Sequence, residues 1–273
     1  MKIENYLISR LYFFQDNPAA IFWYDSAMLT KLKVSAFELK ERFGELALEL
    51  VDLASTINIK ILPYQVDSLP HFSRLKEEQM LSAIEVLDNY VGIFKRTVEK
   101  GYRVNESKMV TWLAIKSLGL TPSSDLFHYI EEDSVIEIYN AENIQIFRNL
   151  KFFEFCSYTL DDIFCRPWPS LYRRVEALTE EILTLKDRIY AENRLKTYKV
   201  DHIPPHEVQE VDSAFRYKIK TEGKYVSTLF DSSKRIKAVV VVENASLASP
   251  PLSMREQEEC LKEYYARNAN DSL

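Results

Sequence analysis

Glycine is scarce in this sequence, and its scarcity limits the chemistry that we expect. Five glycines occur in 273 residues, at positions 44, 92, 101, 119 and 223. Phosphate-binding loops and strained catalytic turns depend on glycine, because it tolerates positive φ angles and close backbone approach to a ligand. The patterns G-x-G-x-x-G, G-x-x-x-x-G-K-[ST] and G-x-S-x-G are absent. The sequence therefore argues against nucleotide hydrolases and kinases, and we expect a protein that is not an enzyme.

Cysteine, basic charge and long apolar runs are also in short supply. Three cysteines, Cys156, Cys165 and Cys260, are too few for a disulfide framework, which favours a reducing compartment. The net charge of −6 and the pI near 5.5 argue against a nucleic-acid partner. No apolar run approaches the roughly 20 residues of a membrane span, and the N-terminus lacks the features of a signal peptide. We therefore expect a cytoplasmic protein without a membrane partner.

The first part of the chain, residues 1–122, is predicted to be a mostly helical domain. The segment 1–24 is aromatic and fits a strand or a packed arm equally well. Helices are predicted from 36 to 57, from about 73 to 100, and after a cap at Asn105. The apolar stripe of the first helix consists of Leu39, Phe43, Leu46, Leu50, Leu53 and Ile57. Such stripes face one another or a second copy of the chain, so a homodimer stays open.

The second part, residues 123–245, is predicted to be an α+β domain. Two β runs, 135–139 and 144–149, are separated by polar residues, as in a hairpin. A helix is predicted from 173 to about 194, and strands from 215 to 220, 225 to 230 and 236 to 243. Glu222-Gly223 and Asp231–Ser233 are the predicted turns. The expected fold is a five-stranded antiparallel sheet with helices on one face, followed by a linker and a marginal helix in 246–273.

This order of elements resembles that of the PAS domain. The segment 157–163 with Arg166-Pro167-Trp168 is similar to the helical stretch of that family, and 224–231 with 236–243 to its last two strands. The resemblance covers roughly residues 130–245. It implies a sheet closed around a small-molecule pocket and a role in sensing or in adaptor contacts.

Two departures from the family's patterns bear on cofactors. Cys165 is followed by Arg166-Pro167 and lacks the preceding Asn and the following Phe of the light-sensing subgroup, so no photoreactive flavin is expected. No histidine lies between residues 173 and 194, where haem-binding members carry one. The identity of any cofactor or ligand therefore stays unknown.

The dense aromatic segment supplies the candidate ligand pocket. Its residues would lie between the sheet and the helices, where they either line a pocket or fill the core completely. The pocket candidates are Phe147, Phe153, Phe155, Tyr158, Trp168 and Tyr217, and Phe152 belongs to the same aromatic segment.

Three groups of reactive residues have plainer interpretations. His202 and His206, near Glu207 and Glu210, have the composition of a metal site, but Pro204 and Pro205 keep the histidines off one helical face, so no metal is expected. Cys165 is either a redox-sensitive thiol beside Arg166 or a small buried side chain. Adjacent Asp161 and Asp162 point in different directions on a helix, which favours charges at a helix start over an acid–base pair.

These observations lead to one principal hypothesis. The chain is a cytoplasmic signalling sensor or adaptor in which a PAS-like domain binds a small ligand or a protein partner. It transmits the signal through protein–protein contacts of the helical part or of the sheet, whose exposed row Arg216, Lys218 and Lys220 either meets an acidic partner or is solvated. The alternative is a scaffold or interaction subunit with a filled core and no ligand.

Overall fold

The computed structural model describes residues 35–62, 69–141, 143–166, 168–250 and 252–270. The predicted strand or arm in 1–24 lies outside these residues. Seven helices occur in the described part: α1 (Ala36–Ser55), α2 (Glu77–Glu99), α3 (Ser107–Ser117), α4 (Leu160–Cys165), α5 (Trp168–Leu171), α6 (Glu176–Glu192) and α7 (Met254–Asn270). Short 3-10 turns lie at Phe72–Arg74, Leu126–His128 and Leu150–Glu154. The structure thus has the three helices predicted within 36–122 and the long helix predicted after residue 173.

Helix α1 begins with a capping box. The Ser35 hydroxyl accepts a hydrogen bond from the Glu38 backbone N–H (3.2 Å), and the Glu38 carboxylate accepts one from the Ser35 backbone N–H (2.8 Å). These bonds satisfy two backbone donors at the start of the helix, which otherwise have no partner within it. The side chains Leu39, Phe43, Leu46 and Leu50 of the predicted stripe are then buried along one face of α1.

Removing this cap gives a local stability test. Ser35→Ala is expected to lower the free energy of unfolding by about 1 kcal/mol, because an N-cap hydroxyl is lost from a helix that packs on the core. Urea unfolding followed by circular dichroism measures the change. Ser232→Ala, in an exposed turn, is the matched control and should change stability by less than about 0.5 kcal/mol. Equal effects of the two substitutions would contradict the capping role.

An antiparallel sheet of eight strands forms the centre of the described structure. The strands are β1 (Thr121–Pro122), β2 (Val135–Asn140), β3 (Gln145–Arg148), β4 (Tyr172–Arg173), β5 (Thr197–Lys199), β6 (His206–Glu210), β7 (Lys218–Phe230) and β8 (Ile236–Leu247). Their order is β3-β2-β8-β7-β6-β4, and β1 and β5 also pair with β7. One edge of β7 pairs with β8, and the other is shared by β6, β5 and β1. The predicted hairpin is present as β2 and β3, and it joins the same sheet as β7 and β8.

The prediction of five strands was wrong, because β1, β4, β5 and β6 were not predicted and two of the predicted strands are one strand that continues through Gly223. The predicted turn at Glu222-Gly223 is a bulge within the continuous strand β7, since the register shifts between Gly223 and Tyr225. Glycine inside a strand marks a bulge as readily as it marks a turn. The partner of the first half of β7 is β6, which begins directly after Pro204 and Pro205 and was not predicted as a strand. Of the predicted strand 215–220, only residues 218–220 are strand, and they form the beginning of β7.

Helices cover both faces of the sheet, which corrects the prediction of one covered face. Alternate residues of a strand point to opposite faces. Ala238, Val240 and Val242 of β8 pack in one apolar core with helices α1 to α4. Val239 lies between them in sequence and packs with Leu185 and Ile189 of α6 in a second cluster. We call the face of Val239 the second face of the sheet.

The larger core crosses the predicted boundary between residues 122 and 123. Phe43 of α1, Tyr90 of α2 and Ile136 of β2 belong to the same buried cluster. The Tyr90 hydroxyl also donates a hydrogen bond to the Arg148 carbonyl oxygen (2.7 Å). The division into two domains stays a prediction, and its helical part is packed directly on the sheet.

Helix α7 occupies the region predicted to be marginal. Its buried Tyr264 donates a hydrogen bond to the Asp162 carboxylate of α4 (2.7 Å), which attaches this helix to the core. In the described part of the chain, every helix is too short or too polar to cross a membrane.

Candidate functional site

A small cavity lies against the second face of the sheet, under the segment that connects β3 to α6. Its volume is about 60 Å³. We call it the sheet-face cavity. It is lined by Val135, Glu137, Tyr139, Phe152, Phe155, Tyr172, Arg174, Val208, Ile219, Thr221, Glu243 and Ala245.

Two carboxylates stand side by side in the wall of this cavity. Glu137 lies opposite Val241, and Val135 lies opposite Glu243, so the two glutamates are diagonal neighbours on paired strands. Glu137 is buried, and Glu243 is partly buried. The Tyr139 hydroxyl donates to Glu137 (2.8 Å), and the Gln145 amide also donates to it. The Thr221 hydroxyl donates to Glu243 (2.6 Å).

The proximity of the two carboxylates changes their protonation. Burial and the neighbouring Glu137 raise the pKa of Glu243 to about 8. Burial also raises the pKa of Glu137, against the attraction of Arg148 and the hydrogen bonds from Tyr139 and Gln145. Two carboxylates in a poorly solvated site repel each other, so burial and this repulsion both favour the protonated form of Glu243.

Two arginines accompany the pair. Arg148 lies directly opposite Glu137 in the β2–β3 ladder, is almost completely buried, and packs over the Phe152 ring, 4.8 Å from its centroid. Arg174 lines the cavity, and its Nε donates to Nε2 of His206 (3.2 Å). Burial lowers the pKa of His206, and Arg174 lowers it further. His206 therefore accepts this bond from Arg174 as a neutral imidazole.

The Tyr172 hydroxyl makes no hydrogen bond within the described structure. This hydroxyl is buried in the cavity region and has no hydrogen-bond partner among the described residues. The Tyr172 ring packs edge-on against Tyr158, with centroids 5.6 Å apart. Buried hydroxyls nearly always have a partner, so this hydroxyl suggests that a ligand atom binds in the cavity.

The predicted pocket residues are divided between the core and the cavity. Phe155 lines the sheet-face cavity, and so does its neighbour Phe152. Phe147, Phe153 and Tyr158 are buried in the larger core.

The other two candidates lie elsewhere. Tyr217 is half-buried beside Phe215, with ring centroids 5.4 Å apart. The side chain of Trp168 lies outside what the structure describes.

Tyr158 has a structural role that explains its burial. Its hydroxyl accepts a hydrogen bond from the Val211 backbone N–H (2.7 Å) and lies within donating distance of the carbonyl oxygens of Leu171 and Val211. It thus holds the end of α5 against the loop after β6.

Asp161 and Asp162 act as anchors in the fold. Asp161 accepts hydrogen bonds from the backbone N–H groups of His71 (2.9 Å) and Phe72 (2.8 Å). Asp162 caps α4 and contacts Arg166, His71 and Tyr264. This agrees with their interpretation as helix-start charges.

The remaining reactive residues are also structural. Burial raises the pKa of the Cys165 thiol, and Asp161 raises it further, so this cysteine lacks thiolate character. Glu210 is buried and accepts hydrogen bonds from Ser157, Ser213 and the Tyr217 backbone. His202 and His206 do not converge with it: within the described residues, no group of three or more potential metal ligands occurs.

A larger depression lies at the surface between the end of α1, the start of α3 and the 3-10 turn Leu150–Glu154. It has a volume of about 470 Å³ and contains Glu132, Asp133 and Glu154. Asn149 in its wall is fully engaged, because its side chain bonds the Ile136 N–H, Ser107 and the Ser134 carbonyl oxygen. Among its lining residues, this larger depression lacks the combination of buried charged groups and an unpartnered hydroxyl that is found in the sheet-face cavity.

The polar residues of the cavity were missed in the sequence. Glu137 alternates with Ile136 and Ile138, a pattern typical of a solvated strand face. The available signal was the position of Glu243 at the end of the valine run 239–242, where a carboxylate continues a buried strand. Recognising the pair requires the register between β2 and β8.

Comparisons with known proteins give no family for the chain: no protein-family model matches the sequence, and no curated protein matches it either.

Proposed function

We propose that this chain is a cytoplasmic sensor or adaptor protein, in which a PAS-like sheet binds a small molecule in the sheet-face cavity and passes the signal on through protein–protein contacts. The observation that carries the proposal is the polar lining of this cavity. Glu137, Glu243, Arg174 and Tyr172 line the same cavity, and the Tyr172 hydroxyl is buried without a hydrogen-bond partner among the described residues. Buried charged groups of this kind cost stability unless they have a compensating role, and ligand binding is such a role.

The topology supports the comparison with PAS domains. The hairpin of β2 and β3 joins β6, β7 and β8 in one antiparallel sheet, as the resemblance requires. The cavity lies between this sheet and the helical connection, where that family binds its ligands. At about 60 Å³, it is far smaller than the roughly 300–1,000 Å³ of drug-sized ligand pockets. We therefore propose a ligand of a few heavy atoms, which argues against flavin and haem.

The alternative is a ligand-free scaffold, and the small cavity volume favours it. Phe147, Phe153 and Tyr158 fill the core, so most of the aromatic segment contributes to packing. In both proposals the output is contact with a protein partner, through the helical part, the sheet or a second copy of the chain.

A cavity-filling variant tests the proposal. Ala245→Leu adds volume inside the cavity, and Ala248→Leu makes the same change at an exposed position directly after β8. Native mass spectrometry and thermal unfolding against a panel of small metabolites measure binding. We expect a ligand that raises the melting temperature of the wild type and of Ala248→Leu, and has no effect on Ala245→Leu.

A second variant guards against simple misfolding. Overpacking costs about 1–3 kcal/mol, so Thr221→Val, which replaces the hydroxyl bonded to Glu243 by a methyl group of similar size, is measured in parallel. The scaffold is the correct function if no metabolite raises the melting temperature of the wild type and the protein is isolated with a protein partner but without a small molecule.

A further inference from the structure

The last part of β8 extends beyond its neighbour β2. β2 pairs with β8 over residues 238–243 only, so residues 244–247 have a neighbour on just one side among the described strands. On that side they remain paired with β7. Asn244 and Ser246 are exposed, and Ala245 and Leu247 are half-buried. We call the other side of residues 244–247 the open edge of β8.

The hydrogen bonds of the sheet show which backbone groups point to the open edge. The N–H and the carbonyl oxygen of Ile136 both bond Asn149, so the backbone of Ile136 faces β3. Because these groups alternate in direction along a strand, those of Val135 face β8 and its residue 243. The odd-numbered residues of this part of β8 therefore bond β2, and the even-numbered ones bond β7.

Ala245 and Leu247 continue the odd-numbered series beyond the end of β2. Ala248 agrees with the alternation, because its N–H donates to the Lys218 carbonyl oxygen of β7 (2.8 Å). The N–H groups and carbonyl oxygens of Ala245 and Leu247 thus point to the open edge, where no described residue bonds them. A strand edge of this kind binds an extended peptide as an added strand. Such a peptide would lie in line with β2 and antiparallel to β8.

Two lysines determine which peptide fits the open edge. Lys220 lies opposite Ser246 in the β7–β8 ladder, and Lys218 lies beside Ala248. Both lysines are exposed, and neither forms an ion pair within the part of the chain that the structure describes. An added strand would lie about 10 Å from β7, at two spacings of about 4.8 Å. Since Ser246 and Ala248 are small, a lysine and a glutamate side chain can meet above them. The peptide face on this side is therefore expected to be acidic.

The other charged groups on this face of the sheet leave the lysines in excess. Glu207 of β6 lies opposite Lys220, on the side away from β8. Glu222 is engaged by Lys224 (2.6 Å). Arg173 of β4 is exposed on the same face, across β6 from the lysines. The two lysines and this arginine thus outnumber Glu207, the carboxylate of the face that forms no ion pair among the described residues.

Carboxylates also flank the open edge in the chain. Glu132 and Asp133 precede β2, so they lie toward the C-terminal end of an added peptide. On α7, which follows β8, Glu256 and Glu259 already have hydrogen-bond partners within the region 253–255. The acidic preference therefore applies to the N-terminal and central residues of the peptide, which lie beside the two lysines.

We propose that the open edge of β8 binds an extended segment of a protein partner in which acidic and apolar residues alternate. Its acidic side chains lie on the face of Lys218 and Lys220, and its apolar side chains lie beside Ala245 and Leu247 on the second face. Ala245 also lines the sheet-face cavity, so the partner and the ligand would contact the same strand. The inference rests on the proposed function, because it assigns the kind of partner that this function requires.

Fluorescence anisotropy of the full chain with a labelled hexapeptide of alternating glutamate and valine tests the charge preference. A hexapeptide of alternating lysine and valine is the probe of opposite charge, and we expect the acidic peptide alone to bind. Lys218→Glu combined with Lys220→Glu should weaken this binding about tenfold or more, because repulsion replaces attraction. Lys60→Glu combined with Lys108→Glu makes the same change in net charge at exposed positions of the helical part and should retain the affinity.

Methylated peptides test the backbone pairing without any change in the protein. N-methylation of the valines removes the donors that would bond Ala245 and Leu247, whereas N-methylation of the glutamates removes donors that point to solvent. The first peptide should bind about tenfold more weakly than the parent peptide, as expected for the loss of two hydrogen bonds. The second should bind like the parent peptide. Equal effects of the two methylations would overturn the strand pairing.

Other outcomes would assign the surface differently. Binding of the basic peptide would overturn the acidic partner, and binding of a single-stranded oligonucleotide that the lysine substitutions weaken would indicate nucleic acid instead. A dimer in native mass spectrometry that the lysine substitutions strengthen would assign the edge to a second copy, since paired copies place like-charged lysines together. If neither peptide binds, this inference is wrong, while the melting temperatures of Ala245→Leu and Ala248→Leu with the metabolite panel still decide the proposed function.

Discussion

Asp162→Ala is expected to lower the free energy of unfolding by about 3–5 kcal/mol, because it leaves the largely buried Arg166 without its carboxylate partner. The Asp162 side chain is fully buried, and its carboxylate contacts Nη1 of Arg166 (3.0 Å) and Nε2 of His71 (3.2 Å). It also accepts bonds from the Tyr264 hydroxyl (2.7 Å) and the Thr159 backbone N–H (3.0 Å). One substitution thus removes the bonds of this carboxylate to α7 and to the His71 side chain, while Asp161 still holds the backbone of the turn at residue 71.

The pKa of Asp162 agrees with this role. Burial alone would raise it, but the hydrogen bonds from His71 and Tyr264 outweigh burial, and the pKa is lowered from 3.8. A lowered pKa in the folded state means that the stabilisation is present above the unfolded value and is lost as the pH falls below it. An unfolding measurement at neutral pH therefore includes the full stabilisation that the ionised Asp162 contributes to the folded state.

Urea unfolding at pH 7 measures the expected loss. Asp187→Ala, on the exposed side of α6, is the matched control and should change stability by less than about 0.5 kcal/mol. Asp162→Asn keeps the shape and one acceptor oxygen, and it provides a folded variant if the alanine variant is insoluble. A loss below about 1 kcal/mol for Asp162→Ala would show that the cluster is not an anchor.

The second large effect is a pH dependence that arises from Glu243. Its pKa is about 8 in the folded protein and near 4.5 in the unfolded chain, so the folded state binds an additional proton between these values. Stability contributed by this group is therefore complete below about pH 4.5 and is lost as the pH rises toward 8. The full shift corresponds to at most about 5 kcal/mol, and the partial exposure of Glu243 reduces the expected change to about 2–3 kcal/mol.

The difference between wild type and Glu243→Gln isolates this contribution from those of other buried carboxyls. The free energy of unfolding is measured at pH 5.5, 7 and 8.5. It should fall more steeply with rising pH for the wild type than for Glu243→Gln. Glu222→Gln, at a half-exposed carboxylate paired with Lys224, is the control and should retain the wild-type slope. Parallel curves for the wild type and Glu243→Gln would mean that Glu243 is ionised throughout this range.

The sequence was sufficient for features that depend on local patterns. The stripe from Leu39 to Leu50 predicted α1, and the alternation around Ile136 and Ile138 predicted the hairpin, because periodicity identifies the buried side of an element. Antiparallel α+β architecture followed from the order of these elements.

Features that depend on pairing between distant segments could not be predicted. Strand β6 is short, follows two prolines, and is recognisable only beside Ile219 and its neighbours in β7. Glu137 and Glu243 form a site only because Val135 pairs with Glu243. A shift of the register by one residue would place the two carboxylates on opposite faces.

The pairing of β2 with β8 has a consequence for synthesis of the protein in the cell. Val135 bonds in register with Glu243, so the central ladder of the sheet cannot close until the C-terminal strand has left the ribosome. At about 5–20 residues per second, the nascent strand with Ile136 and Ile138 waits several seconds for its partner. During this interval its apolar face depends on helices α1 to α3 for shielding, and slow translation through residues 150–235 would increase its exposure to aggregation and to chaperones.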